Sequence, residues 1–231
     1  MNRFEYFFRK ISRRRRAIAH YEIDDNEVTV IDESYLFGLY PSMRILDGGI
    51  GWYSAIYNNK RKINQPYLHG IQKLIEDWAE GRGAEMCLVL GSAGCSIPRF
   101  LNLRYPESHV VCVDYSPEML KIADEYFLGG LDRTRMELVL ADALAFVGQD
   151  DHLYDICVLD LFVKNKIVEG IFEDQFLAHL SKRMKDNSIV LVNCFSESHD
   201  KLQSFREHAL QWFDDAYIVE QENMAILVLK K

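Results

Sequence analysis

The sequence predicts an α/β protein in which a doubly wound sheet follows a small N-terminal β region. Two patterns carry this prediction. From Gly81 onward, short apolar runs of strand length alternate with runs of helix length, which is typical of a parallel sheet covered by helices. Before that point, short β segments are separated by turn residues instead. The length of 231 residues and the 48% hydrophobic content suit one such domain with a small addition.

The chain begins with a basic N-terminal segment, residues 1–18, which contains seven arginine and lysine residues and one acid. Phe4, Phe7, Phe8 and Ile11 recur at helical spacing and predict an amphipathic first helix whose arginines face water. The alternative is that this basic segment contacts RNA or an anionic surface.

The remaining elements follow in two blocks. Residues 19–66 are the predicted antiparallel β region, with strands expected at 19–23, 27–32, 36–39, 44–46 and 52–57. Residues 67–231 are the predicted doubly wound domain, with helices expected at 67–80, 96–105, 117–127, 143–148, 172–184 and 201–213. Its strands are expected at 85–90, 109–114, 136–140, 154–160, 188–194, 216–219 and 225–229. Because no helix fits between the last two strands, we expect them to form an antiparallel hairpin at one edge.

Charge and hydropathy narrow the possible partners. The whole chain has a net charge of −8, and residues 17–231 alone carry 20 bases and 34 acids. A body this acidic repels nucleic acid, so we expect no nucleic-acid partner. No run approaches the roughly 20 apolar residues of a membrane helix, and residues 1–16 lack the apolar stretch of a secretory signal. The sequence therefore favours a cytoplasmic protein without a membrane partner.

Cysteine and histidine residues give no sign of a disulfide framework or a metal site. The five cysteines are odd in number, widely spaced and mostly set in apolar runs, which indicates buried, reduced thiols. His69, His152 and His179 lie far apart without metal-ligand spacing, so no metal is expected. Cys95 is the one thiol for which a lowered pKa near a helix N-terminus is an alternative to a packing role.

The first strand of the main domain ends in a loop of small residues, Gly91-Ser92-Ala93-Gly94, which leads into a helix. Small residues let the backbone turn tightly and approach a ligand, and the helix N-terminus offers free N–H groups. The loop lacks the third glycine of the dinucleotide fingerprint, and its helix carries Pro98 in the first turn. Close packing without a ligand is therefore the alternative explanation.

An acidic residue follows each of the next three strands. Asp114 lies 20 residues after Gly94, at the position from which a carboxylate accepts hydrogen bonds from ribose hydroxyls. Asp142 is placed to meet an exocyclic adenine amino group, or else to cap the next helix. Asp160 adds a further carboxylate. Because ligands of open α/β sheets bind beyond the carboxyl ends of the strands, these positions together predict a nucleoside site with a spare carboxylate.

These residues resemble the spermidine synthase-like branch of the S-adenosylmethionine-dependent transferases. The resemblance runs from about residue 40 to about residue 195 in consistent order and spacing. The segments that carry it are Leu46-Asp47-Gly48, Leu88 to Cys95, Pro98-Arg99-Phe100-Leu101, Arg104-Tyr105-Pro106, Val113 to Pro117, Ala141-Asp142-Ala143, Tyr154-Asp155 to Asp160, Phe172 with Phe176, and Val190 to Asn193.

The resemblance implies a Rossmann-like fold of the methyltransferase type and a role for each site residue. It implies that the cofactor, S-adenosylmethionine or its decarboxylated form, is bound by the loop and the two acids that follow it, with their neighbours. Those cofactor-binding residues are Gly91, Ser92, Ala93, Gly94, Asp114, Tyr115, Asp142 and Ala143. It further implies that Asp160 binds a small acceptor amine and takes its proton as the amine attacks the carbon beside the sulfonium. A homodimer is implied as well.

The chain also departs from that family where substrates bind. Gly94 stands where the family has an aspartate that binds the free amine of decarboxylated S-adenosylmethionine. The loss of this aspartate favours a cofactor that keeps its own carboxylate. Val163 stands where the family has a second acid that binds the diamine, and Gly51 stands where it has a glutamine in the β region. The family's acceptor-binding motif corresponds to Tyr67-Leu68-His69, which contains no acid. Lys164-Asn165-Lys166, in the substrate-covering loop, suit either an anionic substrate or a solvated loop.

We therefore expect a transferase that moves a methyl, aminopropyl or related group to an amine or another small nucleophile. The alternative, from a different class, is a non-catalytic nucleoside-binding or scaffold protein descended from such an enzyme. Retention of Asp160 favours the enzyme, because nucleoside binding alone requires only the other positions.

Overall fold

The computed structural model describes residues 14–34, 43–49, 51–57, 66–163, 166–195, 197–221 and 224–231. Its centre is a seven-stranded sheet. The strands of this sheet are β5 (Met86–Leu90), β6 (His109–Asp114), β7 (Met136–Leu140), β8 (Tyr154–Leu159), β11 (Met184–Asn193), β12 (Asp215–Gln221) and β13 (Met224–Lys230). They lie in the order β12-β13-β11-β8-β5-β6-β7. The parallel strands are β5, β6, β7, β8 and β11. Strand β13 runs antiparallel to both β11 and β12, so the expected edge hairpin is confirmed.

Helices cover both faces of the sheet. Those described are α1 (Pro66–Ala79), α2 (Ser96–Arg104), α3 (Pro117–Ile122), α4 (Ala143–Gln149), α5 (Asp174–Arg183) and α6 (His199–Ala209). Helices α1 and α2 bury apolar side chains such as Ile71 and Leu101 on one face, while α4, α5 and α6 bury Val147, Leu180 and Leu202 on the other. Because both faces are covered, the central strands are continuous apolar runs rather than alternating ones. The predicted Rossmann-like α/β fold is confirmed.

The N-terminal strands form a separate antiparallel sheet. Its members are β1 (Arg14–Ile23), β2 (Asn26–Ser34), β3 (Met43–Asp47) and β4 (Trp52–Tyr57), paired in that order. One face buries Val28, Val30 and Leu46 against Ile122 and Phe127, at the end of α3 and just after it. This packing holds β4 beside the start of the main domain. The strand expected at 36–39 lies outside the described residues.

Strand β1 begins at Arg14, five residues before the expected position 19. The helix predicted from Phe4, Phe7, Phe8 and Ile11 lies outside the described residues. Arg15 forms an ion pair with the buried Glu33 of β2, and Arg16 lies opposite Asp32. Cross-strand pairing of opposite charges therefore stabilises this earlier start of the strand.

The helix expected at 201–213 is α6, which begins at His199 and ends at Ala209. Three further elements also differ from the expected ones. The helix expected at 117–127 ends at Ile122 and continues as a π-helical turn, Ala123–Phe127. Strand β11 begins four residues before position 188 because a register shift follows Met184. A two-residue hairpin, β9 (Phe162–Val163) with β10 (Lys166–Ile167), was not expected. All three depend on pairing or packing between distant segments.

The burial of the cysteines and the length of the helices can be compared with two further expectations from the sequence. All five cysteines are buried, free thiols, as predicted. Burial is the first cause that raises the pKa of Cys87 and of Cys194 to about 12, so both stay protonated at neutral pH. Among the helices described, none combines the length and the apolar character that a membrane crossing needs.

Candidate functional site

The candidate site lies at the carboxyl ends of the parallel strands, where the strand order reverses. The chain runs from β5 outward through β6 and β7, then returns to place β8 on the other side of β5. A crevice forms outside the strands at such a switch point, and it is where ligands of this fold class bind. Gly91 follows β5 and Asp160 follows β8, so these two residues flank the crevice directly.

The backbones of Gly91 and Asp160 lie against each other. The Gly91 N–H donates to the carbonyl oxygen of Val113 (2.9 Å), and the Asp160 N–H donates to that of Leu90 (2.9 Å). A Cβ atom on Gly91 would lie 2.3 Å from the Asp160 carbonyl oxygen, and its φ is +82°. Only glycine is compatible with both conditions. This position therefore serves close backbone packing as well as any ligand.

Asp114, the predicted ribose ligand, braces the loop. Its Oδ2 accepts hydrogen bonds from the Ser92 N–H (3.0 Å), the Ser92 hydroxyl (3.3 Å) and the Ala93 N–H (3.2 Å). Its Oδ1 accepts one from the Ser116 N–H (3.0 Å). A carboxylate has about four lone-pair positions, so Oδ1 keeps acceptor capacity for a hydroxyl while Oδ2 is fully engaged. Ribose binding by Asp114 stays a prediction, and it would use Oδ1 first.

Asp142 and Ala143 form the start of α4. The Asp142 carboxylate caps this helix by accepting a hydrogen bond from the Ala145 N–H (2.9 Å) through Oδ1. The capping alternative is therefore present, and the predicted contact of this exposed carboxylate with an adenine amino group stays a prediction. Ala143 is buried and contributes to the packing of α4 on the sheet.

Tyr115 is held by the tip of the N-terminal hairpin. Its hydroxyl donates a hydrogen bond to Asp24, one of two turn residues at positive φ between β1 and β2. This hydrogen bond is the largest cause, ahead of burial, that raises the pKa of Tyr115 to about 12. The same Asp24 charge adds to burial in raising the pKa of Tyr53. The hairpin therefore reaches the predicted nucleoside site, which the sequence did not indicate.

Asp160 is oriented by a residue to which the sequence assigned no role. The Asn193 side-chain N–H donates to Asp160 Oδ1 (2.8 Å), and its own Oδ1 accepts from the Phe195 N–H (3.2 Å). Asn193 ends β11 and is buried. The sequence signals for it were its position at a strand end and its place in the segment Val190 to Asn193, which carries part of the family resemblance. The amide fixes one carboxylate oxygen of Asp160 at the edge of the crevice.

Ser54 is the second residue that sequence reasoning missed. It lies in β4, is buried, and accepts a hydrogen bond from the Gly94 N–H through its hydroxyl (3.0 Å). A Cβ atom on Gly94 would lie 2.5 Å from Ser54 Cβ and 2.6 Å from its Oγ. An aspartate therefore does not fit at position 94 while β4 stays in place.

Other predicted positions lie apart from this group. Val163 is exposed in β9, His69 is exposed on α1, and nothing lies within 4 Å of a Cβ atom built on Gly51. Lys166 is exposed in β10, while Lys164, Asn165 and the Tyr67 side chain lie outside what the structure describes. Within the described residues, no three His, Cys, Asp or Glu side chains are grouped to hold a metal ion.

Comparison with known proteins identifies relatives. No family model matches the chain. A polyamine aminopropyltransferase of Vibrio vulnificus is 30% identical over 118 residues, which are 49% of this chain and 39% of that relative. The matched part of the chain thus spans well under half of this relative's length. These residues confirm that the chain resembles the spermidine synthase-like branch.

Solved structures agree on the fold. A probable spermidine synthase from Corynebacterium glutamicum covers 92% of this chain and 79% of its own, with a TM-score of 0.80 and 15% identity. Human methyltransferase-like protein 13, solved with SAH, covers 71% of this chain and 79% of its own, with a TM-score of 0.59 and 22% identity. At these identities the likeness establishes the Rossmann-like fold.

The contact between Gly94 and Ser54 predicts a steric coupling. Gly94→Ala should lower the free energy of unfolding by about 1–3 kcal/mol, because the added methyl group overpacks a buried site. Gly51→Ala is the matched control and should change it by less than about 0.5 kcal/mol. Urea denaturation measures both. In a Ser54→Gly background the Gly94→Ala cost should shrink, and an unchanged cost would contradict the contact.

The hydrogen bond between Tyr115 and Asp24 predicts a pH dependence. Because the folded pKa is raised from the usual value near 10 to about 12, the contact is fully present below pH 10 and is lost as the pH rises to 12. Ultraviolet titration of the wild type minus Tyr115→Phe should show one tyrosine ionising near pH 12. Asp24→Gly should move it toward 10, whereas Asp25→Gly, the neighbouring turn position, should not.

Proposed function

We propose that this chain, a relative of the spermidine synthase-like transferases, moves an alkyl group from a sulfonium nucleoside to an amine or another small nucleophile. The observation that carries the proposal is Asp160, which Asn193 holds at the strand switch point beside the small-residue loop. The relative's name, polyamine aminopropyltransferase, and the SAH bound to a structural neighbour support this reaction class. The transferred group is methyl, aminopropyl or a related one.

The residues at the crevice fit a nucleoside cofactor. Asp114 keeps acceptor capacity on Oδ1 for a ribose hydroxyl, and Asp142, whose Oδ1 caps α4, would accept a hydrogen bond from an adenine amino group through Oδ2. Tyr115, 49% exposed next to Asp114, offers an aromatic surface for a base. Side chains at the ends of β6 and β7 thus match the two parts of an adenosine, its ribose and its base.

In the proposed reaction the cofactor and the protein supply different chemical groups. A bound sulfonium cofactor supplies an electrophilic carbon with a good leaving group. Asp160 accepts the proton of the attacking amine, and Asn193 keeps its carboxylate in the orientation that this transfer needs. The loop, held by Asp114, fixes the distance between the two reactants, and such positioning supplies much of the rate enhancement of a two-substrate reaction.

The cofactor in this proposal is S-adenosylmethionine rather than its decarboxylated form. In the resembling family an aspartate at the position of Gly94 meets the free amine of the decarboxylated cofactor. Here Ser54 occupies the space next to Gly94 and accepts a hydrogen bond from its N–H, so position 94 supplies no carboxylate for that amine. A cofactor with its own carboxylate avoids this loss and meets no opposing charge at position 94.

The acceptor in this proposal is a small molecule other than a long polyamine. Positions that would grip a polyamine are an exposed valine, Val163, and an exposed histidine, His69, rather than acids. A homodimer in the cytoplasm, without nucleic acid or membrane as partner, completes the proposal. A non-catalytic nucleoside-binding protein is the outcome to expect if binding is found without transfer to any amine.

Isothermal titration calorimetry tests the proposed cofactor. The purified chain is titrated with S-adenosylmethionine, decarboxylated S-adenosylmethionine and methylthioadenosine. We expect all three to bind and S-adenosylmethionine to bind most tightly. Preference for the decarboxylated form would instead indicate aminopropyl transfer, and a lack of binding by all three would overturn the proposal.

Two aspartate variants separate cofactor binding from catalysis. Asp114→Asn should weaken cofactor binding by about 1.5–3 kcal/mol, because a charged acceptor and the brace of the loop are both lost. Asp160→Asn should leave cofactor affinity nearly unchanged and lower turnover about 10²–10⁴-fold, since it removes a general base.

Calorimetry and single-turnover assays with an amine acceptor found by screening measure both effects. Asp155→Asn is the control, because Asp155 lies at the opposite edge of the same sheet, where its carboxylate accepts hydrogen bonds from Glu85 and Met86. Full turnover in Asp160→Asn would show that Asp160 is only a strand-end residue.

A further inference from the structure

A groove of about 390 Å³ lies between α4 and α5, outside the crevice. Small-molecule sites usually have volumes of about 300–1,000 Å³, so this groove has room for one ligand. Its lining extends from Leu144 to Gln149 along α4, a length of about 7 Å. Because α4 begins at the carboxyl end of the sheet and runs away from it, the groove leads away from Asp142 and Asp160 and is a second candidate site.

Two glycines let the walls of this groove approach each other. A Cβ atom on Gly170, in the 3-10 turn Glu169–Phe172, would overlap Leu144, and one on Gly148 would lie 3.1 Å from His179 Nδ1. Gly148 is inside α4, where glycine is less favourable than alanine. Its place there lets the His179 imidazole lie against α4, where the ring lines the groove.

The polar side chains of the groove have no internal partners. Within the described residues, no hydrogen bond or ion pair is made by the side chains of Gln149, Glu173, Gln175 and His179. By contrast, His152, His199 and His208 each pair with a carboxylate. Leu144 and the buried Phe176 supply apolar surface between these polar groups. Apolar lining with a few unpaired polar groups is the usual composition of a small-molecule site.

The charge of the groove favours a cation. Glu173 supplies a carboxylate, and no lysine or arginine is among the described residues that line the groove. The whole chain has a net charge of −8, which also raises the local concentration of cations. The apolar surface of Leu144 and Phe176 suits a flat ring, and the imidazole and amide groups suit a ring that carries its own N–H donor.

We propose that the groove between α4 and α5 binds a small heteroaromatic amine. The ammonium group of this ligand pairs with Glu173, its ring packs on Leu144 and Phe176, and its ring N–H donates to an imidazole nitrogen of His179. The site is separate from the crevice, and binding there does not depend on the proposed transfer reaction.

Three indoles of similar size test the ligand class: tryptamine is a cation, tryptophol is neutral and indole-3-acetate is an anion. Each is titrated into the ¹⁵N-labelled chain, and NMR spectra follow the amide signals. We expect tryptamine to bind most tightly and indole-3-acetate most weakly, with shifts at Gly148 and Gly170. Equal binding of the three indoles, or a lack of binding by tryptamine, would overturn the proposal.

A variant that fills the groove tests the location. Ala145 lines the groove and is exposed on α4, so Ala145→Phe places a ring in the space for the ligand and leaves the backbone N–H that caps to Asp142 in place. We expect the affinity for tryptamine to fall about tenfold or more. Ala17→Phe is the matched control, because Ala17 is also exposed but lies in β1.

A charge variant tests the role of Glu173. Glu173→Gln should lower the affinity for tryptamine about two- to fivefold, the scale of an exposed ion pair, and should leave tryptophol unaffected. Glu107→Gln makes the same change at an exposed position between α2 and β6 and should have no effect.

Asp160→Asn distinguishes the groove from the crevice. We expect this variant to bind tryptamine as the wild type does. If Asp160→Asn abolished binding while Ala145→Phe left it unchanged, the amine would lie in the crevice and the groove site would be wrong. The titrations with the three nucleosides decide the proposed function separately, since none of them requires the groove.

Discussion

The contact of the Gly91 and Asp160 backbones is the constraint on which the rest of the site depends. Strand β5 lies between β6 and β8, so its last residues must pair on both sides at once. The Asp160 N–H bonds to Leu90 while its carbonyl oxygen occupies the space that a side chain on Gly91 would need. This pairing places the loop directly beside Asp160, the proposed general base.

The N-terminal sheet completes the site that this contact begins. Ser54 accepts the Gly94 N–H from one side, and Asp24 accepts the Tyr115 hydroxyl from the other. Strand β4 can approach this closely only because position 94 has no side chain. A side chain at position 94 would in turn require β4 to move away. The small N-terminal sheet contacts the residues beside the crevice of the main domain, so a change in its packing would alter the proposed cofactor site.

The sequence predicted the main sheet well because its strands are buried runs and its helices have clear periodicity. It also predicted the acids at the strand ends, since their positions follow from strand boundaries alone. It could not predict Arg14 to Arg16 as strand, because Glu33 and Asp32 decide that pairing from the next strand. It missed Ser54 and Asn193 for the same reason: their partners, Gly94 and Asp160, are 40 and 33 residues away.

The three aspartates that follow the strands, Asp114, Asp142 and Asp160, differ in the hydrogen bonds that their carboxylates already accept. Asp114 already receives four hydrogen bonds from the loop and from Ser116, three at Oδ2 and one at Oδ1, so a ribose hydroxyl would bind at Oδ1. The proposed binding of a cofactor at Asp114 would depend on the conformation of the loop, because the loop holds the same carboxylate through Oδ2. The Asp142 carboxylate accepts the Ala145 N–H through Oδ1, and the Asp160 carboxylate accepts the Asn193 side-chain N–H through Oδ1. The carboxylates proposed for binding and for proton transfer therefore have different surroundings, although all three follow parallel strands of one sheet.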